Sequence, residues 1–317
     1  MAELRQGETE KEALSAAVGK SRKLAARVPR LILEARRVAS TVIHGLHGRR
    51  RAGAGENFWQ YRRFTNGEPS HNVDWRRSAR DDHLYVRERE WEASHSIWFW
   101  VDRSPSMDFN SHLTEWSKLD RALVVSFALA EVLVQGGERV GIPELMRPTS
   151  NRNVIEKMAQ VMLHDSSERL SLPPNFAPVA FSEVLLVSDL WSPIAEFRRI
   201  IGQLAANGAR GHVVQVVDPA EESFPYSGRV EFVESEGLGS ITAGRAELWR
   251  ADYQALVANH RAALRAEAEH FGWTFTIHRT DRGPTELLFA IHGRMGAGAH
   301  TIVKSRQPAR SGPDVRA

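Results

Sequence analysis

From residue 96 to residue 294 the chain alternates between two hydrophobic patterns. Short unbroken apolar runs, Ile97-Trp98-Phe99-Trp100-Val101 and Val184-Leu185-Leu186-Val187, lack the in-out alternation of a half-exposed strand. Strands covered on both faces of a parallel sheet have this composition. Between the runs, apolar residues recur every three to four positions. Lys118 to Val134 carries Leu119, Ala122, Leu123, Val125, Leu129 and Leu133 on one side and stops at Gly136-Gly137, which predicts a helix. Arg139 to Leu145, Val213 to Val217 and Trp273 to Arg279 predict further strands. Asn153 to Leu163, Pro193 to Ala206, Arg245 to Phe271 and Thr285 to Arg294 predict further helices. The alternation implies an α/β domain over residues 94–304, an open, mainly parallel sheet with helices on both faces.

Upstream the pattern differs. Leu24, Val28, Leu31, Ile32, Ala35, Val38 and Val42 share one helical face within residues 1–47, with Pro29 as an expected break, so this part is a helical arm. Residues 48–93 form a small strand-containing segment. Glycines punctuate an Arg-rich stretch there, Asn57 to Phe64 and Leu84 to Trp91 suit strands, and Asn66-Gly67 and Asp81-Asp82 are turn signals. The tail 305–317 is rich in Pro, Gly and Arg and is expected to be disordered.

Composition narrows the function. The 317 residues include 42% hydrophobic and 26% charged residues, an ordinary globular balance. There is no cysteine, which removes thiol nucleophiles, zinc ribbons and disulfides together. No apolar run reaches the ~20 residues of a spanning helix, and a cytoplasmic protein is the expectation. The formal charge is only +3. Basic residues cluster between Arg49 and Arg89, but Glu56, Glu68, Asp74, Asp81, Asp82, Glu88 and Glu90 interrupt them, so nucleic-acid binding there is the weaker alternative.

In open α/β sheets, ligands bind beyond the carboxyl ends of the strands. Both buried runs end in an acid. The first continues as Asp102-Arg103-Ser104-Pro105-Ser106-Met107 and the later one as Ser188-Asp189-Leu190-Trp191. One acid with two hydroxyls at alternate positions, plus a second acid, is the oxygen set a small hard cation such as Mg²⁺ takes, with Ser104 and Ser106 as direct ligands and Asp102 and Asp189 acting through water. The bland alternative is that Asp102 and the serines cap a strand-to-helix turn.

Asp-x-Ser-x-Ser followed by a distant strand-end Asp resembles the metal-ion-dependent adhesion site of von Willebrand factor type A domains. The preceding segment adds to this. Gly53-x-Gly55-Glu56-x-Phe58, Arg63-Phe64-x-x-Gly67-Glu68, Val73-Asp74-Trp75-Arg76-x-Ser78-Ala79-Arg80 and Leu84-x-Val86-Arg87-Glu88 resemble the bacterial family labelled domain of unknown function 58. The resemblance implies a von Willebrand type A-like domain partnering a MoxR-type AAA+ ATPase in chaperone-like maturation or assembly of other proteins, and a non-enzymatic interaction module is the leading expectation. Two features depart from the adhesion-site pattern. No Thr occurs between Leu170 and Phe181, leaving Thr149 as a poor substitute, and Arg103 puts a positive charge beside the cation, so low Mg²⁺ occupancy is expected. Gly67, Asp74, Trp75, Arg76, Arg80 and Arg103 form the remaining motif. In it Trp75 is expected to pack inside while Asp74 pairs with Arg76 or Arg80 as a structural staple. A metal-dependent hydrolase using the same strand-end acids is the other alternative, although the motif supplies no general base.

Overall fold

A computed structural model of the chain describes residues 24–46, 60–65, 69–70, 73–88, 95–165, 170–179, 181–234 and 239–305. The chain divides between Ile43 and His44 and again between Ser94 and His95 into two compact units, the smaller one being the inserted stretch His44–Ser94.

In the larger unit, helix α1 covers residues 24–46, with its C-terminal end running past the boundary at Ile43. It buries Leu24, Val28, Leu31, Ala35, Val38 and Val42, the face the spacing predicts, and Pro29 is accommodated inside the helix. Residues 24–43 of the helix belong to the same unit as the sheet. Residues 1–23 and the tail 306–317 lie outside the described residues.

The main sheet has six strands: β3 (Ser96–Val101), β4 (Arg139–Ile142), β5 (Met146–Thr149), β6 (Glu183–Ser188), β7 (Arg210–Val217) and β10 (Thr274–Arg279). Their spatial order is β10-β7-β6-β3-β4-β5. All neighbours are parallel except β5, which returns antiparallel to β4 through the turn 143–145. The expected single strand Arg139 to Leu145 is therefore a strand and the start of a hairpin. Pro148 lies in β5, the edge strand, where a residue without an N–H is tolerated.

The two central strands are the unbroken apolar runs. Every residue of β6 is buried, and Phe99 in β3 is fully so. Trp100, Val184, Leu186 and Val213 pack with Phe197, Ile201 and Leu204 of α5 (Ile194–Ala206) and Leu264 and Ala268 of α7 (Arg250–His270). Alternation along the strands sends Ile97, Phe99, Val101, Leu185 and Val187 to the other face, where α3 (Lys118–Gln135) contacts β3 and β6. Helix α3 is buried on all sides from Lys118 to Ala130, because α4 (Val154–His164) and α8 (Thr285–Ser305) cover its outer face. Gly211 of β7 is required by the sheet's packing: a Cβ there would meet the Trp273 ring at 1.9 Å.

Two shorter pieces complete this unit. Helix α6 (Pro219–Ser223) follows β7 at once, and a separate hairpin, β8 (Val230–Val233) with β9 (Ser240–Ala243), precedes α7. The predicted long helix Arg245 to Phe271 begins as a 3₁₀ turn, Ala246–Trp249.

The smaller unit contains the antiparallel pair β1 (Gln60–Arg63) and β2 (Tyr85–Glu88) and the four-residue helix α2 (Trp75–Ser78). Asp74 caps α2, accepting from the Arg77 N–H at 3.0 Å. Trp75 is 62% exposed, which corrects the expectation of a packed tryptophan staple. A helix this short has one buried position, Ser78, and the register turns Trp75 outward. Arg76 and Arg80 are exposed as well, and Gly67 lies outside the described residues.

Candidate functional site

The sheet reverses its direction of strand addition between β3 and β6, which is the switch point where an open α/β sheet leaves a crevice at its carboxyl edge. The parallel register aligns Val101 with Val187, so Asp102 and Asp189 emerge side by side at that edge. The Asp102 N–H donates to the Val187 carbonyl at 2.8 Å, extending the ladder by one residue.

Asp102 is fully buried. One carboxylate oxygen accepts from the Ser104 N–H at 2.8 Å and the other from the Ser188 hydroxyl at 2.6 Å. Burial, and secondarily the neighbouring Asp189 charge, push its carboxyl up to about 6. The Ser104 and Ser106 hydroxyl oxygens are 3.1 Å apart. Asp189 is buried too, and its oxygen accepts from the ammonium of Lys118 at 2.8 Å. The same ammonium donates to Glu221 at 2.7 Å. Burial works against the Lys118 charge, but Asp189 and Glu221 more than offset it and hold the amine above its ordinary range.

Lys118 and Glu221 complete the site, and local structure places both. Ser117 caps α3, so Lys118 opens the first turn and reaches back over the edge, while Arg121 one turn on donates twice to the Thr280 carbonyl beyond β10. Asp218 ends β7 and caps α6 in a capping box, accepting from the Ala220 N–H while Glu221 accepts from the Asp218 N–H. That leaves the second Glu221 oxygen for Lys118. Asp218 also accepts from the Ser111 N–H at 2.8 Å, fixing the loop after the Asp-x-Ser-x-Ser motif.

The serine spacing suits two adjacent ligands of an octahedral ion, which at ~2.1 Å per bond stand about 3 Å apart. The acids are less open: each Asp102 oxygen already accepts one protein hydrogen bond, and the Lys118 ammonium answers the Asp189 charge. Among the described residues no cluster of three or more His, Cys, Asp or Glu side chains could hold a metal ion. The serine pair fits such an ion, while Lys118 already answers the acid charge that would help to hold it.

Two expectations about neighbouring residues change. Arg103 turns away from the acids to the end of α4, donating to the Met162 carbonyl at 2.9 Å and pairing with Asp165, so it places no charge beside them. Thr149 pairs with Val140 at the start of β4, the opposite end of the parallel strands from the acids. It cannot serve as a ligand.

Above Lys118 and Ser106 the crevice opens into a cavity of about 460 Å³, walled by Phe109, Trp191, Phe224, Tyr226, Trp249 and Tyr253. Leu190, in the left-handed region at φ 58°, turns the chain between Asp189 and Trp191. Trp191 stacks on His260 with ring centroids 5.3 Å apart, and His260 Nε2 lies 2.7 Å from the Leu190 carbonyl. Burial, and next the Glu221 charge, push the Tyr253 hydroxyl up to about 12.

An α/β sheet domain with paired strand-end acids at its switch point, closed by an internal lysine, is the class these features define. The chain belongs to the family described as protein of unknown function DUF58, whose pattern matches residues 60–263. It is similar to uncharacterized proteins of Mycobacterium bovis and Mycobacterium tuberculosis, each 25% identical over 278 residues, covering 82% of this chain and 86% of the relative. Among solved structures it is similar to the conserved hypothetical protein BatB from Bacteroides thetaiotaomicron, at a TM-score of 0.36 and 13% identity over 65% of this chain and all of that one. A second is an aerotolerance-related membrane protein from Bacteroides fragilis, at 0.37 and 15% over 64% of this chain and all of that one. Among the described residues no helix is long and apolar enough to cross a membrane.

Proposed function

We propose that the chain is a non-enzymatic protein-interaction module, a cytoplasmic von Willebrand type A-like domain that uses the crevice at the ends of β3 and β6. Its partner is a MoxR-type AAA+ ATPase acting in maturation or assembly of other proteins. The fold assignment is supported by the strand order together with the single antiparallel edge strand β5 and the Asp-x-Ser-x-Ser segment after the central strand. The observation that carries the interaction reading is the crevice itself: buried acids neutralised from inside, beneath a cavity that opens to solvent through exposed apolar residues.

The Asp-x-Ser-x-Ser segment itself supplies no His or Glu as a general base, so the hydrolase is the weaker alternative. Binding of the purified chain to a MoxR-type AAA+ ATPase of the same organism, measured by calorimetry, tests the proposal. Saturable binding that Trp191→Ala weakens supports it. Binding unchanged by Trp191→Ala and by Ile241→Glu removes the crevice from the mechanism.

A further inference from the structure

We infer that the crevice is a metal-independent receptor for a neutral apolar anchor, an aromatic or large aliphatic side chain of the partner inserted into the cavity over Lys118. The inference rests on the interaction-module reading and names what that site recognises.

Charge decides the occupant. Among the described residues the charged groups lining the cavity are Lys118 and Glu221, which are bonded to each other, and Lys118 is bonded behind them to Asp189. An incoming carboxylate would be the third on the same ammonium, with Asp102 close by, and an incoming cation would compete with Lys118 for the carboxylates it already holds. Either ion would shed its hydration shell without finding a free counter-charge. A neutral apolar side chain has no such cost. It finds seven aromatic side chains on the walls and a volume within the range of side-chain and small-ligand pockets.

The rim points the same way. Val233 is 72% and Ile241 59% exposed, and both line the cavity mouth on the β8–β9 hairpin. Phe109 and Trp249 stand at 38% each on its other sides. Phe224, Tyr226, Phe232 and Tyr253 pack on one another and Trp249 stacks on Phe232, while Val233 and Ile241 stay open to water. An apolar rim around an aromatic pocket is the surface a buried anchor residue of a partner uses.

The test uses the full chain and small probes: the N-acetyl amides of tryptophan, leucine, glutamate and arginine, titrated while the Ile241 and Val233 methyl resonances are followed by NMR. The tryptophan and leucine amides are expected to bind in the millimolar range, at least about tenfold tighter than the charged amides. Saturating Mg²⁺ or chelator should leave those affinities unchanged, and Trp249→Ala should weaken them about fivefold while lowering the thermal midpoint by only about 2–4 °C, the loss of its stack on Phe232. Glutamate-amide binding that Mg²⁺ strengthens and chelator abolishes would overturn the inference, as would preference for the arginine amide or no binding by either apolar amide. Failure of the parent reading looks different: apolar probes bind and respond to Trp249→Ala, while the ATPase does not bind at all.

Discussion

The floor and the wall of the crevice follow opposite rules. The floor is polar and buried, and its ionised groups are answered by one another: Asp102 by Ser104 and Ser188, Lys118 by Asp189 and Glu221. The wall is aromatic, comes from the loop after β3, the turn after β6 and the β8–β9 excursion, and leaves apolar rim residues in water. On the proposed reading, stability resides below and recognition above. A substitution in the floor should act on folding, and one in the wall on binding.

The sharpest break of that division is Lys118→Met. Methionine fills similar space but leaves Asp189 and Glu221 buried without their cation, and breaking a buried pair from one side costs about 3–5 kcal/mol. Urea denaturation should show a loss of that order. Adding Asp189→Asn and Glu221→Gln to the same chain should recover much of it, since the floor is then uncharged. A single variant as stable as the parent would mean the ammonium is not what neutralises the acids.

Acid provides a gentler test, because two buried groups respond to it with opposite sign. The Asp102 carboxyl, pushed up to about 6 by burial and by Asp189, binds its proton in the folded state before the unfolded chain does, so its contribution rises as pH falls from about 6 to 4. His278, held down to about 4 by burial and by the Arg121 charge, is the reverse: the unfolded chain takes the proton first, and stability is lost as pH falls below about 6.5. The windows overlap, so the parent should show only a shallow net change between pH 7 and pH 5. Asp102→Asn removes the gain and should expose the histidine loss, about 2 kcal/mol over that interval. His278→Asn should show a gain on acidification. Equal slopes in all three proteins would contradict the assignment of Asp102 to a desolvated, acid-flanked position.

What the sequence made legible is split along the same line. Asp102 and Asp189 were readable because each ends an unbroken apolar run, and a run buried on both faces has few places in an α/β sheet other than its centre. Lys118 carried a weaker signal that went unread: a lysine at the first turn of a capped helix opposes the helix dipole, so a carboxylate partner has to compensate it. Asp218-Pro219-Ala220-Glu221, directly after a strand, has the capping-box spacing and could have placed Glu221 at the edge. The hairpin was harder. β8 and β9 are four residues each, only Ala243 of the eight is buried, and their pairing depends on a contact across a connection with no tight-turn signature. Trp75 misled for a related reason, since its exposure follows from a four-residue helix whose register composition does not fix.

Trp191 is the joint between floor and wall, two residues beyond Asp189 and lining the cavity, and it gives the smallest stability effect with a large functional one. Its ring is 37% exposed and is held by the stack on His260. Truncation removes one aromatic contact of the kind worth about 0.5–1.5 kcal/mol, so Trp191→Ala should lower the denaturation free energy by about 1 kcal/mol. The floor beneath should survive, because Lys118, Asp189 and Glu221 reach one another without the indole. Binding of the ATPase should nevertheless weaken by about tenfold, the loss of one well-packed anchor contact. Trp191→Phe keeps a ring on His260 and should retain most of the affinity. If Trp191→Ala instead unfolds the protein as severely as Lys118→Met, the wall is structural after all and the separation of stability from recognition fails at the residue where the two meet.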